Sequence, residues 1–547
     1  MSIEISNTLI EELIRTVDRI DRRLTDVEAA LNIKKEAAPE AQPVEKPQPQ
    51  QRDDDDSLEL AIGEYWFAKI GILAFILGMF FLLTQPLDKY PPLLPIAIGY
   101  LVSFSLIIIS VIWLKSFKYI SGFLVGGGTA LLYLTTLRLH FFGVEPVVSS
   151  RFLLVILLLI VGGFASWIAL RRQSVYLIAI AELFFMMTAL VTEIPLLIFV
   201  MLTLTSISVV VLSLKFSSSN LMVFGIIFTC LAHCFWFINN PLLGHDLQIT
   251  TGFNYNLIFL LAYLAIYGMG SLMLIKGRKR ELDELFMTIM NASLGYGLFL
   301  LISIMSGVQN LGVVHLGAFV ILMALAILFW TRERSKYGSF IYAMSAYAAL
   351  SSAIIASYSE PAFYILLCWQ SIIVISTALW FRSKFIIVAN TFIFGGLLVT
   401  YLINVSSVGI EGVSFGLAAL VSARILNWQK TRLELTTDNI RLAYLIMAFF
   451  VLPYVLFEVL PSSFVGLSWA GLALLYYLMS KLLKNKKYRM MAVSTLILTS
   501  LYLAAFGITS DDITYKIISF LAVSIILLII SVMYTRMRTN QKTKEIA

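Results

Sequence analysis

An all-α, polytopic integral membrane protein of about 18 transmembrane helices follows from three features of this chain. The first is a series of long uncharged apolar runs. The second is that basic residues crowd alternate gaps between those runs. The third is that tryptophans cluster at the run ends. Of the 547 residues, 59% are hydrophobic and 13% charged, far more apolar than the core of a soluble domain requires.

The elements follow in chain order. Residues 3–31 carry a heptad pattern, with Ile3, Ile10, Val17, Leu24 and Leu31 in one seam and Ser6, Leu13, Ile20 and Val27 in the other. Residues 1–33 are therefore expected to form a cytoplasmic coiled coil that self-associates or binds a partner helix. One amphipathic helix lying on the protein or the membrane is the alternative. Residues 34–62, rich in Pro, Gln and Ala and containing Asp53, Asp54, Asp55 and Asp56, read as a disordered, solvated tether. The chain opens with a charged amphipathic stretch, so the first span is expected to serve as an uncleaved insertion signal.

Residues 63–535 form the membrane domain. A helix needs about 20 apolar residues to cross a hydrocarbon core of roughly 30 Å. Runs of that kind lie near 66–83, 93–114, 119–142, 152–170, 175–192, 195–214, 221–238, 256–275 and 285–305. They continue near 313–330, 338–357, 361–381, 385–404, 409–426, 442–460, 464–482, 490–507 and 516–534. Basic tail residues 536–547 close the chain.

The alternate gaps hold Lys115 and Lys118; Arg171 and Arg172; Lys215; Lys276 to Arg280; Arg332, Arg334 and Lys336; Arg382 and Lys384; Arg424 to Arg441; and Lys481 to Arg489. The gaps between them hold only Lys89, Arg138, Arg151 and Lys516. Positive loops stay in the cytoplasm, so both termini are expected there. Trp66, Trp113, Trp167, Trp330, Trp380 and Trp428 fall at the inner run ends, and Trp236 and Trp469 at outer ends. The net charge of +7 lies in short inner loops, which argues for topology and against nucleic-acid binding. The lipid bilayer is the expected environment. Inner basic clusters recur about every 50 residues, the length of a helical hairpin, without self-similarity strong enough to define a repeat.

No gap between spans is long enough to fold as a domain, so any site must be built from helices and short loops. Glu182 is the sharpest candidate, about seven residues into its run and hence roughly 10 Å from the inner end. An intramembrane carboxylate points to an ion or proton pathway, or else to a structural Glu bonded to another helix. Arg138, near the opposite face, is the other intramembrane charge.

His140, His233, His245 and His315 fall in the outer half with Arg138, Arg151, Glu145, Glu193 and Asp246. This set forms either a polar vestibule or ordinary solvated loop ends. Cys230, His233 and Cys234 share one helix, but no fourth ligand is evident, and no metal or cofactor is expected. Gly126, Gly127 and Gly128 sit in the third run, where they allow close packing or open the helix to present backbone to a ligand. Asn291, Gln370 and Asn390 read as interhelical hydrogen-bond partners. Pro453 is expected to kink a late span.

Two stretches carry a resemblance: Gly63-Glu64-Tyr65-Trp66-Phe67-Ala68-Lys69-Ile70-Gly71, and Gly126-Gly127-Gly128-Thr129-Ala130-Leu131-Leu132-Tyr133-Leu134. With the coiled coil and Pro-rich tether ahead of them, they resemble a bacterial family of large multi-span membrane proteins, domain of unknown function 2339. Lys69 stands where such relatives carry Arg. The resemblance implies a bacterial inner-membrane location and brings no catalytic residues.

Three function classes remain. The leading expectation is a transporter or permease-like protein for a small molecule or cell-envelope component, with Glu182 and a glycine-broken third span near its pathway. A non-catalytic scaffold assembled through the coiled coil is the second. The third is a transferase acting on lipid-linked substrates at the outer face through His140, His233, Asp246 and His315. No catalytic residue is assigned.

Overall fold

The computed structural model describes residues 67–85, 91–276, 281–428 and 438–507, apart from 144, 251, 254, 406 and 407, with six isolated positions beyond 507. The expected coiled coil, tether and basic tail, and the run at 516–534 but for those isolated positions, lie outside the described residues. Contacts divide the chain into Met1–Leu73 and Ala74–Ala547. Of the first unit, only the opening residues of the first helix are described. The second unit holds the other helices.

Among the described residues the fold is entirely helical, with one helix for each of the first 17 expected runs. They are α1 Phe67–Thr84, α2 Leu93–Ile112, α3 Lys118–Arg138, α4 Arg151–Arg172, α5 Val175–Val191 and α6 Pro195–Phe216. Then come α7 Ser219–Phe237, α8 Asn256–Ile275, α9 Glu281–Met305, α10 Leu311–Glu333, α11 Lys336–Ser357 and α12 Ala362–Trp380. The series ends with α13 Lys384–Asn404, α14 Val413–Trp428, α15 Asp438–Val459, α16 Ser462–Leu482 and α17 Lys486–Tyr502. Fifteen are long and apolar enough to cross a membrane, and α1 and α5 are apolar but shorter. The protein is a polytopic membrane protein.

Five of the basic gaps share one local design. A polar residue in the left-handed region ends a helix, and the next residue caps the following helix. The left-handed residues are Gln173, Ser217, Arg334, Arg382 and Lys484, with φ between 48° and 53°. The caps are Ser174, Ser218, Ser335, Ser383 and Asn485, each accepting a backbone N–H from the first turn ahead. In four of them the cap N–H also returns to a carbonyl five residues back, as from Ser174 to Ala169 at 3.2 Å and from Ser383 to Ala378 at 3.0 Å. Both helix ends are thus satisfied inside a two-residue turn, with a cap worth about 1 kcal/mol. Such a turn forces adjacent antiparallel helices and keeps the basic side chains together at one end.

Packing is sequential. Every helix pair that packs beyond a glancing touch is separated by at most one helix in chain order. One continuous core nevertheless runs from Ile107 to Ala492. Neighbour-only packing is the arrangement of repeat arrays, where each unit buries its face on the next.

A recurring polar clamp supports that comparison. Asn291 on α9 donates to the Leu264 carbonyl on α8 at 3.0 Å and to the Tyr342 hydroxyl on α11 at 2.9 Å. Asn390 on α13 donates to the Ser371 hydroxyl on α12 at 2.8 Å and to the Tyr444 hydroxyl on α15 at 2.9 Å. In each case an amide ties its helix to the one before and to the one two places on. Gln370 also bonds between helices, donating to the Tyr347 carbonyl at 3.1 Å. At the basic end, the acidic first turn of α9 reaches both neighbours in its row. Asp283 accepts from Ser219 at 2.7 Å, and Glu284 accepts from the Ser335 hydroxyl and from the Gly338 N–H, at 3.2 Å for the latter. Acids placed at the starts of α7 and α11 are favoured by the positive end of each helix dipole.

Two expectations fail against this packing. The third span is not broken: α3 is one continuous helix with Gly126, Gly127 and Gly128 buried inside it. A Cβ at Gly128 would stand 2.8 Å from Ile107 and 3.1 Å from the Ser103 carbonyl, and one at Gly126 would stand 3.4 Å from Leu177 and Ile180. The glycines let α2 and α5 approach α3, so close packing is their role. Three of the tryptophans expected to face the interface, Trp236, Trp330 and Trp469, are instead buried among helices, and the Trp469 indole donates to the Pro453 carbonyl at 2.9 Å, joining α16 to α15 beside the proline. A marked irregularity inside a long helix lies elsewhere, a π-helical stretch at Asn291–Tyr296 in α9 that follows from no glycine run, and a second π-helical stretch, Leu503–Gly507, follows α17.

Candidate functional site: a lateral crevice between α4, α5 and α6

Three local signals position the site. Ser150 caps α4 and makes Arg151 its first residue. Glu193 adopts a left-handed φ of 54°, and Ile194 is extended as a residue before proline must be. Pro195 then opens α6. The α5–α6 turn therefore places Glu193 beside the start of α4, where Arg151 pairs with it.

Between these helices lies a cavity of about 630 Å³. Its walls are Phe152 and Ile156 of α4, Phe185 of α5, and Leu197 and Leu204 of α6. Phe152 is 77% and Leu204 61% exposed, so the crevice opens sideways on the apolar surface that would face lipid. From Pro195 to Ser208 the helix rise gives a depth of about 20 Å.

Glu182 and Ser208 form its floor. The Ser208 hydroxyl donates to Glu182 Oε1 at 2.7 Å, while Oε2 has no partner. Glu182 is 2% exposed. A carboxylate with one acceptor left open in an apolar slot costs about 1–3 kcal/mol or more until something donates to it. That makes the floor an acceptor site for a proton, a cation or a hydroxyl or amine group. Beyond it a buried polar thread continues: Ser206 lies 3.5 Å from Thr229, which lies 2.8 Å from the Tyr267 hydroxyl. It crosses from α6 through α7 to α8.

At the mouth, Arg151 bonds Glu193, and His245 Nε2 lies 3.1 Å from the other Glu193 oxygen. Arg151 Nε also reaches His140 Nε2 at 3.4 Å, and His140 Nδ1 lies 2.8 Å from the Val148 carbonyl. The carbonyl requires the proton on Nδ1, which leaves Nε2 as the acceptor the guanidinium needs. Of the expected outer set, His140, Arg151, Glu193 and His245 therefore meet in one cluster.

The other candidates lie apart. Asp246 is exposed, and its backbone carbonyl accepts from Asn239. His315 is not at an outer face but fully buried between α9 and α10, 3.3 Å from the Tyr296 hydroxyl and 3.1 Å from the Ser303 hydroxyl. His233 is also fully buried, stacked on Phe199 at 4.6 Å and edge-on to Trp236 and Tyr263, with neither nitrogen bonded. Arg138 belongs to a different contact. It is buried and donates to the carbonyls of Leu83 and Gln85, tying down the C-terminal end of α1. Cys230 and Cys234 are free, and among the described residues no three His, Cys, Asp or Glu side chains converge on a point.

Sequence reasoning missed Ser208. The available signal was the polar group Thr203, Thr205, Ser206 and Ser208 inside an otherwise apolar run. Comparisons with protein-family models, curated proteins and solved structures give no match, so a functional reading rests on the chemistry of the crevice.

Proposed function

We propose that the protein is a transporter or permease-like membrane protein of the bacterial inner membrane, with both termini cytoplasmic, that takes a chain-bearing envelope component into the crevice of α4–α6. The observation that carries this reading is a laterally open apolar slot ending on the single open acceptor of Glu182. The slot suits an alkyl or prenyl chain, and its volume lies within the usual range for ligand sites. Intramembrane acids of this kind mark substrate or ion pathways. Glu182 would accept a donor group of the substrate or carry the coupling cation, while the paired cluster at the mouth leaves room for a polar head.

The test is photocrosslinking of the full chain in liposomes with a lipid carrying a photoactivatable group along its acyl chain. Labelling of α4–α6 that falls at least severalfold in Phe185→Trp, which fills the slot, supports the reading. Labelling spread evenly over the helices and indifferent to Phe185→Trp overturns it.

Packing between helices near in chain order favours a second reading, a non-catalytic membrane scaffold. Deleting residues 1–33 separates the two, because a scaffold assembled through its coiled coil loses function and a transporter keeps it. The transferase reading would need His140, His233, Asp246 and His315 together, and these four lie in separate environments.

A further inference from the structure

Among the described residues, the basic end of α14, α15 and α17 holds a buried guanidinium without adequate counter-charge. Arg441, one turn into α15, is 6% exposed. Its Nη1 donates to Asn427 Oδ1 at 2.7 Å, and among the described residues Nε and Nη2 have no partner. Among the described residues the carboxylate within ion-pair reach is Asp438, at 4.0 Å and half exposed. Further positive charge surrounds it. Arg424 lies one turn before Asn427 on α14, and Lys487 Nζ donates to the Asp438 carbonyl at 3.2 Å. The first turns of α15 and α17 meet here, so two helix N-termini add their partial positive charge.

A buried cation is tolerated when it is paired and hydrogen-bonded, and this one is short of both an anion and two acceptors. Its depth, one helical turn from the helix end, is that of lipid headgroups. Exposed Trp428 at the end of α14 marks the same level. We propose that Arg441, with Arg424 and Lys487, forms a binding site for a phosphate anion of the kind carried by an acidic phospholipid headgroup. Guanidinium is the natural partner because its planar fork matches two phosphate oxygens. This site stands apart from the crevice and does not depend on the transport reading.

The experiment compares the full-length protein in phosphatidylcholine nanodiscs, in nanodiscs that also contain phosphatidylglycerol, and in phosphatidylcholine nanodiscs with added inorganic phosphate. The readout is the thermal midpoint, with native mass spectrometry for retained lipid. Phosphatidylglycerol should raise the midpoint and stay bound, and Arg441→Gln should lose at least half of that rise. Lys118→Gln, at the start of α3, should keep it all. A rise reproduced by inorganic phosphate alone assigns the site to a free anion, and a rise confined to phosphatidylglycerol assigns it to the lipid. Equal midpoints in all three conditions overturn the proposal, as does a full rise in Arg441→Gln. Should Arg441→Gln fail to fold, the exposed Arg424→Gln decides: a diminished rise supports the site, and an unchanged rise overturns it.

Discussion

Ser208 donates to Glu182 across the α5–α6 interface at 2.7 Å, and this bond is the polar tie between the two helices at the crevice floor. Its geometry separates the folding role of the acid from any role in moving a substrate. An amide in place of the carboxylate still accepts from Ser208, whereas removing the hydroxyl leaves the acid with no donor.

Glu182→Gln is therefore expected to fold with stability within about 1 kcal/mol of the parent, while Ser208→Ala loses about 1–3 kcal/mol. Denaturation in detergent micelles checks both. A larger loss in Glu182→Gln than in Ser208→Ala would mean that the acid is held by its charge instead of by this bond.

Arg151→Ala removes the centre of the mouth cluster but should barely change stability, by about 0–1 kcal/mol, because both members of the Arg151–Glu193 pair are solvent-accessible. Scanning fluorimetry reads this directly. A melting midpoint far below that of the parent would show that the cluster braces the α5–α6 turn.

Gly128→Ala and Gly163→Ala should differ in sign. A Cβ at Gly128 meets Ile107 at 2.8 Å and the Ser103 carbonyl at 3.1 Å, whereas at Gly163 nothing lies within 4 Å. The first is expected to cost about 1–3 kcal/mol through overpacking, and the second to be neutral or stabilising by up to about 1 kcal/mol. Equal midpoints for the two variants would mean that α2 and α3 are not in close contact at Gly128.

The recurring clamp is measurable as a coupling. A double-mutant cycle of Asn291→Leu with Tyr342→Phe should give about 0.6–2 kcal/mol, the range for hydrogen bonds between helices in lipid. The cycle Asn390→Leu with Tyr444→Phe should give a similar value. Additive single effects at both pairs would reduce the clamp to coincidental proximity.

Much of this molecule is decided locally. Apolar run length sets where each helix starts and stops, and Ser174, Ser218, Ser335, Ser383 and Asn485 set the turns, since a cap is satisfied by backbone a few residues away. The helices from Phe67 to Tyr502 were accordingly legible one by one, and so was the burial of a carboxylate at Glu182. Tertiary structure decided which polar groups meet. His140 and His245 reach the Arg151–Glu193 pair because the α5–α6 turn brings Glu193 back to α4, while His233 and His315 are packed into two other interfaces. Gly126, Gly127 and Gly128 lie in a continuous helix, and at Gly126 and Gly128 neighbouring helices occupy the space that a side chain would have filled. The crevice exists because α4, α5 and α6 part around it. Periodicity along one helix records which face is apolar, but the partner of each side chain is fixed by residues tens of positions away, and only packing brings them together.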